Sequence, residues 1–468
     1  MSSHPPHKNY CTDFVGLDAE VPLLDGRCQR YINFDNAAST PSLKAVQAAV
    51  NDFLVYYSSV HRGTGFKSQL STHVYEQARE IVLDFVGADP KTHTCIFGKN
   101  TTEAVNKLAR RFPFTKQRDV VLTSGMEHHS NDLPWRAATE VIHIGLTTDG
   151  HLDEAEFDAR LAQFADRVAL VAITGASNVT GYLNPTHRLA EKTHAVGAQI
   201  VVDCAQFAPH RKVEMRSLND PTHFDYVTIS AHKMYAPFGT GALVGRRDTF
   251  ERGDPDMVGG GTVEIVTLDN VTWAGPPDRE EAGSPNVVGA VALAAAIRKL
   301  EEIGMEAVAH HEAELTSYLL TQLAEIPDLD IYGDTDPQNA SQRLGVVPIN
   351  LKRLSHFLVA SILGHEFGIG VRNGCFCAHP YLLKLLKVPH QEAEAIRARM
   401  AAGNRSDMPG MVRISFGLYN TLQEIDALIE ALKKIRAGEY LGKYAQDRST
   451  GEFHPQGWES GFEKFFAL

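Results

Sequence analysis

Thr228-Ile229-Ser230-Ala231-His232-Lys233 runs from β-branched residues into a small, polar tip. That is the pattern of a strand ending at the carboxyl edge of a sheet, where open α/β folds bind ligands. Upstream, Ile200-Val201-Val202 ends in the same way at Asp203, with Gln206 just after it. Further short β-rich runs stand at Thr94–Phe97, Val120–Thr123, Val141–Ile144, Val168–Ile173 and Ala242–Gly245. Between them, Thr102–Ala109, Asp153–Gln163 and Pro185–Val196 carry helical spacing of apolar residues. The alternation predicts an α/β fold with a mostly parallel central sheet covered by helices.

A long alanine-rich helix is expected over Val287–Ile303, and the next helix, to about Ile326, leads into a second region. There Val346–Asn350, Ser355–His365, Arg413–Phe416 and Glu424–Ala437 read strand, helix, strand, helix, which predicts a smaller α/β domain. The expected division is a large domain over 31–305, a small one formed by 1–30 with 306–439, and a polar, turn-rich tail over 440–468.

Composition narrows the possibilities. In 468 residues, 45 basic side chains face 57 acidic ones, a net charge of −12, which argues against a broad nucleic-acid footprint. No apolar run reaches the ~18 residues of a membrane span, and the start, Met-Ser-Ser-His-Pro-Pro-His, lacks a signal-peptide plan. A cytoplasmic protein is expected, with neither nucleic acid nor membrane as partner. Six cysteines are too few for a disulfide scaffold. Four are scattered, but Cys375 and Cys377 share a glycine-marked loop.

Several short motifs carry possible chemistry. An acid ending one strand and a lysine ending a later one are what a pyridoxal phosphate enzyme needs. The lysine holds the cofactor covalently, and the carboxylate keeps the pyridine nitrogen protonated. Asp203 and Lys233 fit this, although a lysine at a strand end is also an ordinary surface residue. Gly98-Lys99-Asn100-Thr101-Thr102-Glu103 opens a helix after a strand, so Thr101 and Thr102 suit either a phosphate or a simple N-cap. Ser230 and His232 are placed to complete a phosphate cup. In Glu127-His128-His129 an imidazole can lie on a cofactor ring and carry protons. Arg413, within a strand, suits bidentate grip of a carboxylate or an ion pair with an acid of the chain. The loop Arg372-Asn373-Gly374-Cys375-Phe376-Cys377-Ala378-His379-Pro380 suits thiolate chemistry. Its Cys-x-Cys-x-His spacing is tighter than a zinc knuckle and lacks a fourth ligand, so no metal site is expected.

Together these residues resemble the fold-type I, class V aminotransferase superfamily of pyridoxal phosphate enzymes, most closely its cysteine desulfurase and selenocysteine lyase branch, nearer the SUF type. The resemblance rests on Asn33 to Ala38, Val60-His61-Arg62-Gly63, Asn100 to Glu103, Glu127 to His129, Ser177 to Gly181 and Val202 to Gln206. It continues through Ser230 to Tyr235, Gly259 to Gly261, Gly283 to Asn286, Arg372 to Cys377 and Arg413 to Ser415.

The resemblance implies roles. Lys233 would hold pyridoxal 5'-phosphate, with Asp203 on the pyridine nitrogen, Gln206 on the phenolic oxygen and His128 stacked on the ring. Thr101, Thr102, Ser230 and His232 would bind the phosphate, as would Ser284 from the second subunit of a homodimer. Asn178 and Arg413 would hold the substrate carboxylate, with Arg372 and His61 at the same mouth. Cys377 would take sulfur from L-cysteine, leaving alanine, and pass it to an acceptor protein. Cys375 is a departure from the SUF-type loop. It adds a second thiol that relays sulfur, forms a disulfide or does nothing, and it also gives the loop a likeness to molybdenum cofactor sulfurases. Aminotransferases, isopenicillin N-type epimerases and cystine C–S lyases of the superfamily need the lysine and the acid without Cys377, and a non-catalytic binder on the scaffold needs neither.

Overall fold

The computed structural model describes residues 10–61 and 63–468; Arg62 and the first nine residues lie outside the described part. The chain divides into two compact units. One comprises 39–178 with 182–310, and the other comprises residues up to 38 with 179–181 and 311–468.

The first unit is built on a seven-stranded sheet. Its strands, in chain order, are β1 (His93–Gly98), β2 (Val120–Ser124), β3 (Glu140–Ile144), β4 (Val168–Thr174), β5 (Gln199–Asp203), β6 (Tyr226–Ser230) and β7 (Gly241–Arg246). They lie in the order β1-β7-β6-β5-β4-β2-β3. The run from β6 to β3 is parallel, and β7 is antiparallel to both of its neighbours. Two antiparallel steps bring β1 back into line with β6. The carboxyl ends of β1, β2, β4, β5 and β6 therefore share one edge. Every residue of β4 is buried, as expected of an interior strand whose sequence is apolar from Val168 to Ile173. Ile96, Val105, Leu108, Val121, Leu170, Val201 and Leu243 pack into one core cluster.

Helix α1 (Thr101–Arg111) follows β1 at once, and the Asn100 side chain caps it by accepting the Glu103 amide. The turn before α1 lies tight on the sheet. A Cβ at Gly241 would sit 2.6 Å from the Cα of Asn100 and from the carbonyl oxygen of Ile229, so no larger residue fits. Helix α2 (Thr186–Ala195) precedes β5, and α3 (Val287–Ile303) is capped by Asn286. A hairpin of Val263–Val266 and Val271–Trp273, which the apolar pattern does not announce, projects Ile265, Val266 and Leu268 to solvent.

The second unit carries a four-stranded antiparallel sheet of β8 (Leu329–Ile331), β9 (Val346–Leu351), β10 (Arg372–Gly374) and β11 (Met411–Ser415), in the order β8-β9-β11-β10. Val412 and Ile414 of β11 join Val347, Ile349, Ile362, Leu428 and Leu432 in its core. Strand alternation sends Arg413 to the opposite face. Helices α4 (His356–Phe367) and α5 (Leu422–Ala437) contribute to this core, and α5 begins with a capping box of Thr421 and Glu424. Beyond α5 a hairpin, Tyr444–Gln446 with Phe453–Pro455, is tied down where the Tyr444 hydroxyl donates to Glu366 across 2.8 Å. Among the described residues, no helix is long and apolar enough to cross a membrane.

Candidate functional site

In the first unit the candidate residues gather at the carboxyl edge of the sheet because each follows a strand that ends there. The Thr101 amide, at the start of α1, donates to Ser230 Oγ across 2.9 Å, joining the ends of β1 and β6. Thr101 Oγ1 is buried and has no hydrogen-bond partner among the described residues. Thr102 Oγ1 lies 2.6 Å from Ser130 Oγ. The Ser130 amide donates to His128 Nδ1 across 3.1 Å, which puts the ring proton of neutral His128 on Nε2.

Lys233 ends a single 3-10 turn, Ala231–Lys233, directly after β6. The turn is held from outside: the His232 carbonyl accepts from the Thr40 amide and hydroxyl, and Thr40 Oγ1 accepts the Tyr235 amide across 2.8 Å. Burial, together with the Lys233 charge, lowers His232 to about 4, so its imidazole is neutral near pH 7. Asp203 is buried at the end of β5, and Oδ1 accepts the Ala205 amide across 2.9 Å. Burial raises its carboxyl above the usual range, while that amide and the nearby Lys233 charge work in the opposite direction.

A second buried acid stands beside it. Glu127 receives Ser124 Oγ at 2.6 Å, Asn131 Nδ2 at 2.8 Å and the Thr174 amide at 3.0 Å. Burial still pushes its carboxyl up to about 8, with the Asp203 charge adding to the rise. Glu127 thereby ties the loop that carries His128 to the end of β4. The sequence assigns Glu127 no role; the available signal is an acid just past a strand of Val-Val-Leu-Thr-Ser, beside a histidine pair.

In the second unit Arg372 and Arg413 are register partners on adjacent strands. Asp35 lies between them, with Oδ1 3.1 Å from Arg413 Nη2 and Oδ2 3.1 Å from Arg372 Nε. The ion-pair alternative for Arg413 is thus realised by a residue to which the sequence assigned no role. Arg413 is 3% exposed, and burial lowers it to about 10 despite Asp35, so it stays charged near pH 7. Its guanidinium lies 4.8 Å from the centre of the Phe376 ring, a cation–π contact.

Phe376 and Cys377 both have left-handed backbones, with φ of 53° and 54°. Such angles are costly for residues with side chains and gather at functional loops. The double bend buries Phe376 and leaves Cys377 exposed. Cys375 is half-buried, its Sγ 2.8 Å from His379 Nε2. Burial, with the neighbouring Cys377, pushes the Cys375 thiol up to about 11.

The remaining candidates are dispersed within the first unit. Asn178 and Gln206 are buried after β4 and β5, respectively. Ser284 is exposed, just before the cap of α3. His61 is exposed, with φ of 72° and its ring edge-on to Tyr75.

These residues fit pyridoxal phosphate. The Thr101 hydroxyl at a helix N-terminus, without a partner among the described residues, suits a phosphate oxygen. The buried Asp203 suits a ring nitrogen that must stay protonated, and Lys233 is near enough for its charge to act on that acid.

Comparison with known proteins agrees. Residues 32–428 match the model of the Aminotransferase class-V family. A cysteine desulfurase of Dickeya dadantii is 34% identical over 439 residues, covering 92% of this chain and 98% of that protein. A probable cysteine desulfurase of Halobacterium salinarum is also 34% identical, covering 91% of this chain and 97% of its own. Among solved structures, the apo cysteine desulfurase of Thermococcus onnurineus is similar with a TM-score of 0.76 and 33% identity, over 87% of this chain and 95% of that one.

Proposed function

The chain belongs to the class V aminotransferase family of pyridoxal-phosphate-dependent enzymes, and from that premise we propose that it is a cysteine desulfurase. The observation that carries this reading is the loop after β10, where two consecutive left-handed residues expose the thiol of Cys377 while Phe376 packs under Arg413.

In this reading Lys233 holds the cofactor covalently, and Asp203 keeps its pyridine nitrogen protonated. Gln206 donates to the phenolic oxygen, and His128 covers the ring. The phosphate is taken by Thr101, Thr102, Ser230 and His232, with Ser284 of a second copy completing the cup. A homodimer follows, and the exposed apolar hairpin around Ile265, Val266 and Leu268 supports it.

Bound pyridoxal phosphate supplies an electron sink that loosens the bond from the substrate's Cβ to sulfur. Arg413 and Asn178 bind the amino acid through its carboxylate, and Arg372 and His61 are assigned to the substrate as well. The thiolate of Cys377 attacks the substrate sulfur, and the electron pair of the broken bond stays on carbon, which takes a proton to become the methyl group of alanine. Cys377 keeps the sulfur as a persulfide, and an acceptor thiol must remove it. L-cysteine is the proposed substrate, with selenocysteine as a chemical homologue.

The test is product analysis. Holoenzyme given L-cysteine and a thiol reductant should release alanine and sulfide in equal amounts, and Cys377→Ala should release neither at a comparable rate. A keto acid with ammonia would instead make the enzyme a C–S lyase or transaminase.

A further inference from the structure

At the opposite end of the parallel strands, two imidazoles and a carboxylate meet. Asp225 immediately precedes β6, His223 lies in the loop before it, and His194 sits in the last turn of α2. One ligand atom from each residue lies within 4.8 Å of the other two. His194 Nε2 is 3.0 Å from Asp225 Oδ2, and His223 Nε2 is 3.4 Å from Asp225 Oδ1. The two rings lie nearly parallel, with centroids 4.0 Å apart.

The other nitrogen of each ring decides what the cluster can do. His194 Nδ1 is 2.7 Å from the Pro221 carbonyl oxygen, and His223 Nδ1 is 2.6 Å from that of Asp220. A carbonyl only accepts, so each neutral ring keeps its proton on Nδ1 and turns a lone pair at Nε2 toward the carboxylate. Carboxylate oxygens are acceptors too, so acceptor faces acceptor at both rings unless a proton or a metal ion lies between them. Second protons on both rings would set two stacked imidazoliums face to face, close to Arg246, whose Nη1 is 3.2 Å from Asp225 Oδ1. One divalent cation satisfies both nitrogens and the carboxylate without that repulsion.

The dimensions suit this. Metal–nitrogen bonds of about 2.0–2.1 Å give a tetrahedron with an edge of about 3.3 Å, and three ligand atoms within 4.8 Å of one another can close onto one ion with a small side-chain movement. The outer partners suit it too: ligating histidines commonly donate the second ring N–H to a backbone carbonyl, and Asp225 Oδ2 is fixed by the Ile200 amide at 2.9 Å. We propose that His194, His223 and Asp225 form a binding site for a divalent cation of borderline softness, zinc being the representative, with one coordination position open. Arg246 opposes the cation and is held partly aside by Asp248, 3.0 Å from its Nη2. The site is separate from the cofactor edge. It lies at the start of the strand whose far end carries Ser230, so an ion there clamps the junction of α2 and β6.

The test uses chelator-treated holoenzyme given excess Zn2+ and then gel-filtered. Elemental analysis should find about one zinc per chain. The double variant Cys375→Ser/Cys377→Ser should keep it, while His194→Gln and His223→Ala should weaken binding roughly tenfold or more. Circular dichroism monitors folding of each variant. Arg246→Gln, which leaves all three ligands in place, should bind more tightly than wild type. Co2+ in place of zinc should give a spectrum without a thiolate charge-transfer band. Failure of the wild type to retain metal, retention undiminished in both folded histidine variants, weaker binding by Arg246→Gln, or a thiolate band would each overturn the proposal.

Discussion

Arg413 donates from Nη2 to Asp35 Oδ1 across 3.1 Å, on the face of β11 opposite the core of its unit. The same carboxylate takes Arg372 through its other oxygen. A guanidinium buried this deeply already recognises one carboxylate, and its fork geometry suits a second better than an ammonium would. Arg413→Lys should therefore raise KM for L-cysteine roughly 10- to 100-fold, the worth of a charged hydrogen bond, with a smaller change in kcat. Steady-state kinetics check this, and an unchanged KM would remove Arg413 from substrate binding.

Asp203 predicts the opposite split. Asp203→Asn keeps the shape but removes the charge proposed to hold the pyridine nitrogen protonated, so kcat should fall by about 10²–10³-fold. Cofactor released on denaturation should still approach one per chain, because Lys233 and the phosphate ligands remain.

Glu127 gives a pH signature. Its carboxyl is raised by burial from 4.5 to about 8, so the folded chain holds a proton there that the unfolded chain gives up. Where the native state binds more protons, unfolding free energy falls as pH rises. The stability this proton contributes is complete below about pH 4.5 and declines through about pH 8. Glu127→Gln does not titrate. The melting temperature of wild type minus that of Glu127→Gln should therefore shrink steadily between those limits. A difference that stays constant would show that the carboxyl ionises normally.

The two loop thiols should differ in reactivity. Cys377 is exposed, whereas Cys375 is half-buried against His379 with its thiol raised to about 11. Because the thiolate is the reactive form, a brief pulse of iodoacetamide at about pH 8 should label Cys377 roughly tenfold faster than Cys375. Peptide mapping reads the ratio, and equal labelling would mean the loop opens readily.

Much of the scaffold was legible because local pattern and tertiary context agree. The strand that ends at Ser230 is placed by its β-branched run, and Val168–Ile173, an unbroken apolar run, reads as the strand that the structure extends by one residue to Thr174. Strand order was not legible, since pairing is a long-range property: nothing local says that β7 inserts antiparallel between β1 and β6. The hairpin at Val263–Trp273 was missed for another reason, as its exposed apolar residues follow no buried-face alternation.

At the site, sequence could nominate Lys233 and Asp203 from their strand-end positions. It could not pair Asp35 with Arg413, because those residues stand 378 positions apart. Nor could it foresee the left-handed bend at Phe376 and Cys377, since neither residue is a glycine to announce it. The cluster of His194, His223 and Asp225 matches no short motif, and only folding of α2 against the start of β6 brings it together.

The most direct measurement is mass spectrometry of the peptide spanning Arg372 to Pro380 after a short pulse of L-cysteine without reductant. One additional sulfur on Cys377, matched by an equal amount of alanine, is the expected result. An unmodified loop accompanied by a keto acid and ammonia would contradict it.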